Sequence, residues 1–206
     1  KICLNNNRAE PTTEFVLNKK IEDVQPYISH DGNTIIVHNG TIANDKELLK
    51  ELAHKPPTKI DSAIIPQYLS EHWDGKDLNT LKDILINKFI GSYAFAIWDK
   101  RNPNLIHFAT NYKPLYTCYN KNDDILYFSS FPEYMDPMHF SLFNENVIQE
   151  IKPYTLNTIN LSTKEVHINS LYKSDYEVRQ KKALVIASAG LDSTVCISWA
   201  KEQGYD

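Results

Sequence analysis

Residues 33–45 read NTIIVHNGTIAND, and how this stretch is read decides the fold. The run 33–38 is rich in apolar and β-branched residues, which predicts a buried strand ending in the turn-forming pair Asn39-Gly40. Asn44 or Asp45 can cap a helix over 45–54, with Leu48, Leu49 and Leu52 on one face. Two more helices follow. Asp61 caps one over 62–72, where Pro66 is tolerated near the start, and another over 77–89 sets Leu78, Leu81, Ile84 and Leu85 in helical register.

After these helices the apolar period shortens. Residues 92–98, 104–109, 115–119 and 125–130 read as four strands separated by polar turns, and two more strands lie near 154–160 and 164–169. Helices followed by an antiparallel meander give an α+β layered domain over 1–170. A polar stretch at 171–181 reads as a linker. Residues 182–187 form a short apolar strand, Ser188–Ser193 a loop and 193–203 a helix, the order that opens a nucleotide-binding α/β domain over 182–206.

Composition narrows the function. The chain has 206 residues, 42% of them hydrophobic, enough for a sizeable core. Its net charge is −4 and its 22 basic residues are scattered, so neither a direct nucleic-acid groove nor a membrane surface is expected. No apolar run reaches the roughly 20 residues of a membrane span. Cys3, Cys118 and Cys196 are far apart and in no metal-ligand spacing, which predicts free thiols, a cytoplasmic setting and no metal site within the chain.

A strand ending in Asn39-Gly40 offers a side-chain amide donor beside a freely approachable backbone N–H. That pairing suits an oxyanion hole. The segment His38–Asn44 (HNGTIAN) resembles, position for position, the His-Asn-Gly-x-Ile-x-Asn segment of the class II glutamine amidotransferases. Arg8-Ala9-Glu10-Pro11-Thr12 resembles that family's arginine segment, and Asp61-Ser62 its aspartate at a helix start. Gly91–Asp99, Lys113–Tyr116 and Phe128–Glu133 resemble further family segments. The resemblance implies a four-layer αββα N-terminal-nucleophile hydrolase fold that takes L-glutamine. It implies an oxyanion hole at Asn39 and Gly40, and glutamine contacts from Arg8, His38 and Asp61. An arginine fork suits the α-carboxylate and an aspartate the α-ammonium. The family's nucleophile is an N-terminal cysteine. Lys1 cannot serve, and Cys3 lies only five residues before Arg8, so it is expected to be a core thiol. The nucleophile is expected upstream of Lys1, and the chain as given is expected to lack glutaminase activity.

Residues 184–193, LVIASAGLDS, run from a strand through Ser-x-Gly-x-Asp-Ser into a helix. Consecutive backbone N–H groups and a helix N-terminus make such a turn an anion site. The stretch resembles the PP-loop ATP pyrophosphatases, with Ala189 in place of the motif's first glycine. This implies ATP and Mg²⁺ on Ser188, Ala189, Gly190, Leu191, Asp192 and Ser193 in a Rossmann-like domain. Leu191, Asp192, Ser193, Thr194, Cys196, Gly204 and Tyr205 match the opening of the 7-cyano-7-deazaguanine synthase family. That family converts a carboxy-deazaguanine to its nitrile with ATP and ammonia, and carries Zn²⁺ in a part expected beyond residue 206. The expected whole is an enzyme passing ammonia from glutamine to a deazaguanine carboxylate. An asparagine synthetase-like ligase acting on aspartate, and a non-catalytic glutamine-binding regulatory domain, are the alternatives.

Overall fold

The computed structural model describes residues 3–4, 20–121, 124–135, 148–172 and 191–202, with the backbone alone for 191–194. The chain divides into two compact units, Lys1–Tyr172 and Lys173–Asp206.

In the first unit, strands β1 (Tyr27–Ile28), β2 (Thr34–Ile42), β3 (Gly91–Asp99), β4 (Leu105–Thr110), β8 (Thr155–Asn160) and β9 (Val166–Ser170) form one antiparallel sheet in that order. A second sheet has the order β6 (Ile125–Ser129), β5 (Tyr116–Asn120), β7 (Gln149–Glu150). Helices α1 (Asp45–Glu51), α2 (Ile64–His72) and α3 (Leu78–Asn87) lie between β2 and β3 in the chain.

The strand period of two sorts the cores. Ile36, Phe95, Ile97, Ala109 and Leu156 face the helices and pack with Leu48, Ile65, Leu69, Leu81 and Leu85. Val37, Ala94, Ala96, Ile106, Phe108 and Ile159 face the other way and pack with Leu115, Leu126, Phe128 and Ile151 of the second-sheet region. The described residues therefore give an α–β–β layering, with antiparallel sheets throughout as the α+β class requires. The second helical layer of the expected αββα arrangement is not among them.

Several details differ from the sequence expectation. The strand predicted to stop at His38 continues to Ile42, so Asn39 and Gly40 lie inside β2, paired with Ala94 and Tyr93, and not in a turn. Register with β3 is unbroken from Thr34↔Asp99 to Ile42↔Gly91. Two glycines permit this. A Cβ on Gly40 (φ +147°) would stand 2.0 Å from the Ser92 carbonyl oxygen, and one on Gly91 (φ +142°) 2.0 Å from that of Thr41. The expected meander breaks after β4. That strand pairs with β8, and β5 joins β6 and β7 in the second sheet; Phe108 of β4 and Phe128 of β6, with ring centroids 5.2 Å apart, meet between the two sheets. Cys3, expected in a core, is exposed; its neighbour Leu4 packs on the inter-sheet cluster instead. Leu171 is buried and its N–H donates to the Tyr154 carbonyl at 2.8 Å, so packing reaches into the stretch read as linker.

One buried polar cluster ties the sheet to α2. Asp99, 1% exposed, accepts hydrogen bonds from Thr34 Oγ1 (2.6 Å) and from Arg101 Nε (2.9 Å). Arg101 also donates to the Trp73 carbonyl at 2.7 Å, just past the end of α2. Burial pushes the Asp99 carboxyl up, but the bonds from Arg101 and Thr34 outweigh it and hold the group below its ordinary range.

In the second unit, α4 (Leu191–Glu202) carries exposed Val195, Ile197 and Trp199 and buried Ala200. The strand expected over 182–187 lies outside the described residues. No helix of the described chain is long and apolar enough to cross a membrane.

Candidate functional site

The site is built along the free edge of β2. Strand β1 pairs with β2 only at Ile35 and Ile36. Pro26, which has no N–H, cannot extend that ladder. The side chain of Gln25 takes over: its Oε1 accepts the His38 N–H at 2.6 Å and its Nε2 donates to the His38 carbonyl at 2.8 Å. Four residues on, the Ile42 N–H donates to Asp61 Oδ2 at 2.7 Å. By the alternation of an antiparallel ladder, the Gly40 N–H lies on this same edge, between two N–H groups held by side chains.

Asn39 and His38 point to opposite faces of the sheet. Asn39 is exposed, and among the described residues its side-chain amide has no hydrogen-bond partner. His38, expected at the glutamine, is 3% exposed and turned into the helical layer. Its ring packs against Phe95, with centroids 4.9 Å apart, and its Nδ1 lies 2.8 Å from Ser62 Oγ. Its Nε2 lies 3.3 Å from the Ser92 carbonyl oxygen. This ring is held inside the fold and acts on the strand that carries Asn39 and Gly40.

Asp61 opens a short 3-10 turn, Asp61–Ala63, that leads into α2. Its side chain makes no helix cap, contrary to expectation; it reaches back to Ile42 instead. Oδ1, its other oxygen, is 3.5 Å from Ser62 Oγ. Asp61 and Ser62 together pin this turn to β2, one through a main-chain N–H and the other through the His38 ring. The structure thus brings Asp61 to the edge of the strand that carries Asn39 and Gly40, and turns the His38 ring to the opposite face from Asn39. Arg8, Ser188, Ala189 and Gly190 lie outside the described residues, and Leu191, Asp192 and Ser193 lie in α4.

Sequence reasoning missed Gln25 and the role of Ser62. The signal for Gln25 was present: an amide side chain directly before a proline, two residues ahead of a strand, where the ladder needs a substitute for the missing donor. Ser62 stood beside Asp61, but only folding shows that its hydroxyl meets His38.

Chemically, the edge offers an exposed carboxamide donor, an adjacent main-chain N–H aimed away from the ladder, and a half-buried carboxylate. Donors so placed can face charge developing on an oxygen, and the carboxylate can hold an ammonium.

Known proteins resemble this chain in sequence and in fold. The glutamine amidotransferase domain family matches residues 13–137. The chain is 41% identical over 206 residues to 7-cyano-7-deazaguanine synthase 2 of Sulfurisphaera tokodaii, covering 100% of this chain and 42% of that protein. It is 42% identical over 207 residues to the 7-cyano-7-deazaguanine synthase of Saccharolobus solfataricus, again covering 42% of that protein. The chain therefore spans less than half the length of these curated relatives. Among solved structures, a glutamine phosphoribosylpyrophosphate amidotransferase from B. subtilis superposes with a TM-score of 0.58 at 18% identity, covering 79% of this chain and 34% of that one. At that identity the likeness speaks for the fold alone.

Proposed function

Since this chain belongs to the glutamine amidotransferase domain family, we propose that it is the glutamine-hydrolysing portion of a 7-cyano-7-deazaguanine synthase. The observation that carries the proposal is the 2.7 Å bond from the Ile42 N–H to Asp61. It brings a carboxylate to the strand edge that presents Asn39 and Gly40. The similarity to two curated synthases, which runs over all of this chain and 42% of each of them, supports the choice of acceptor.

In this reading Asp61 receives the α-ammonium of L-glutamine and Arg8 clamps its α-carboxylate. The carboxamide oxygen sits between the Asn39 amide and the Gly40 N–H. As a cysteine thiolate attacks the carboxamide carbon, that oxygen gains negative charge, which the two donors stabilise, and ammonia leaves. Removing one such donor costs roughly 100- to 1,000-fold in rate. Gln25 and Ser62 keep β2 in position by holding His38 at its backbone and ring.

The ammonia is passed to an ATP-dependent site beginning at Ser188–Ser193. Leu191, Asp192 and Ser193 of this segment lie in α4, and a helix N-terminus following such a loop would suit a phosphate. ATP with Mg²⁺ supplies activation of a carboxylate oxygen on a deazaguanine acceptor. Ser188 and Ser193 would offer hydroxyls to phosphate, Gly190 would permit close approach, and Asp192 would help to hold the metal.

The test uses the full-length protein with ATP, carboxy-deazaguanine and either glutamine or ammonium. Nitrile forms with both nitrogen sources in the wild type. Asp61→Ala loses roughly 30-fold or more with glutamine, the scale of one charge partner removed from a binding site, and keeps the ammonium-dependent rate. Equal loss with both sources would remove Asp61 from the glutamine site. Amide formation on aspartate instead would replace the acceptor assignment with an asparagine synthetase-like one.

A further inference from the structure

Away from the glutamine site, three side chains from separate segments meet at the surface. His30 lies in the turn after β1, His54 in the loop after α1, and Glu71 near the end of α2. One ligand atom from each lies within 4.8 Å of the others. The two imidazole rings stack with centroids 3.7 Å apart and planes 10° from parallel.

The neighbours of the group fix its chemistry. His54 Nδ1 lies 3.1 Å from Glu71 Oε1, and the two Glu71 oxygens also accept the backbone N–H groups of Ala53 and His54 at 2.8 Å each. The carboxylate is therefore anchored before any ligand arrives. On the other ring, His30 Nδ1 lies 3.1 Å from Gln67 Oε1, which also takes the His30 N–H at 2.9 Å. Gln67 and Glu71 stand four residues apart on α2, so one helix face holds both rings. An amide oxygen can only accept. His30 Nδ1 is therefore the donor to Gln67, and Nε2 is the ring nitrogen left to face a ligand.

We propose that His30, His54 and Glu71 form a binding site for a divalent transition-metal ion of the Zn²⁺, Co²⁺ or Ni²⁺ type. Two donors on one tetrahedral ion with bonds of about 2.0–2.1 Å stand about 3.3 Å apart. The 3.1 Å between His54 Nδ1 and Glu71 Oε1 already matches that edge. The ion replaces the shared proton there, and the His54 proton moves to Nε2 of the same ring. Parallel rings cannot aim two lone pairs at one point, so His30 tilts to bring Nε2 onto the ion, and water completes the coordination. A nitrogen–nitrogen–carboxylate set favours these borderline ions over Mg²⁺ or Ca²⁺.

Zinc titration of the 206-residue chain by calorimetry, with Co²⁺ absorption in parallel, tests this. One ion per chain is expected. The Co²⁺ spectrum should show tetrahedral visible bands without a thiolate charge-transfer band, which separates this site from binding at exposed Cys3 or Cys196. His30→Ala and Glu71→Gln should each weaken binding roughly tenfold or more, and the His30→Ala/His54→Ala double variant should abolish it. Both histidines are exposed, so the double variant should keep the wild-type circular dichroism spectrum. Equal zinc affinity in wild type and double variant, a thiolate spectrum, or no uptake by the wild type would each overturn the proposal.

Discussion

Acidification should destabilise this domain through one histidine that takes no part in the proposed chemistry. His107 sits on β4, 1% exposed and facing the helices. Its ring meets Trp73 edge-on with centroids 5.5 Å apart, and its Nδ1 lies 2.9 Å from the equally buried Thr158 hydroxyl. Burial pushes its pKa from 6.5 down to about 4, with Asp99 pulling weakly the other way. The folded value lies below the unfolded one, so folding favours neutral His107. Its contribution is complete above pH 6.5 and is lost as the pH falls toward 4. The gap from 6.5 to about 4, at about 1.4 kcal/mol per pH unit, amounts to about 3 kcal/mol. That is a large share of the roughly 5–15 kcal/mol that holds a domain folded. Urea unfolding at a series of pH values between 7 and 4.5 measures it. The wild type should lose about 1.4 kcal/mol per unit more steeply than His107→Gln, which cannot titrate; carboxylates common to both cancel in the difference. Parallel curves would show that His107 charges freely in the folded protein and would refute the reasoning.

Two other substitutions probe the frame of the site. Gly40→Ala places a methyl group 2.0 Å from the Ser92 carbonyl at a φ of +147°; a loss of about 3 kcal/mol or more is expected in chemical denaturation, and wild-type stability would show that the strands separate at little cost. Asp99→Ala leaves the Arg101 guanidinium without its carboxylate and should cost about 3 kcal/mol at neutral pH. Because the Asp99 pKa is lowered in the fold, its contribution is present above the ordinary carboxylate range and lost as the pH falls through the folded value, so wild type and variant should converge in stability in strong acid.

Local information decided much of this protein. The apolar period of 34–38, the leucines of α1 and α3 and the alternating strands from Gly91 onward are set by each segment's own residues, and an α+β class followed. The segment His38–Asn44 also marked the strand that carries the candidate site, because its residue types and spacing are contiguous. Contacts between distant segments were not legible. Asn39-Gly40 looks like a turn in isolation and is held as strand by β3, fifty residues later, through two glycines that each make room for the other strand's carbonyl. Asp61 looks like a helix cap and turns instead to Ile42, since the N–H at an unpaired strand edge is the needier donor. Gln25 at the backbone of His38, the break of the meander after β4, and the meeting of His30, His54 and Glu71 all join residues that no spacing rule connects. Chain periodicity sets which face of an element is apolar; which polar groups end up side by side depends on how the elements dock, and the need to satisfy each buried donor settles that only in three dimensions.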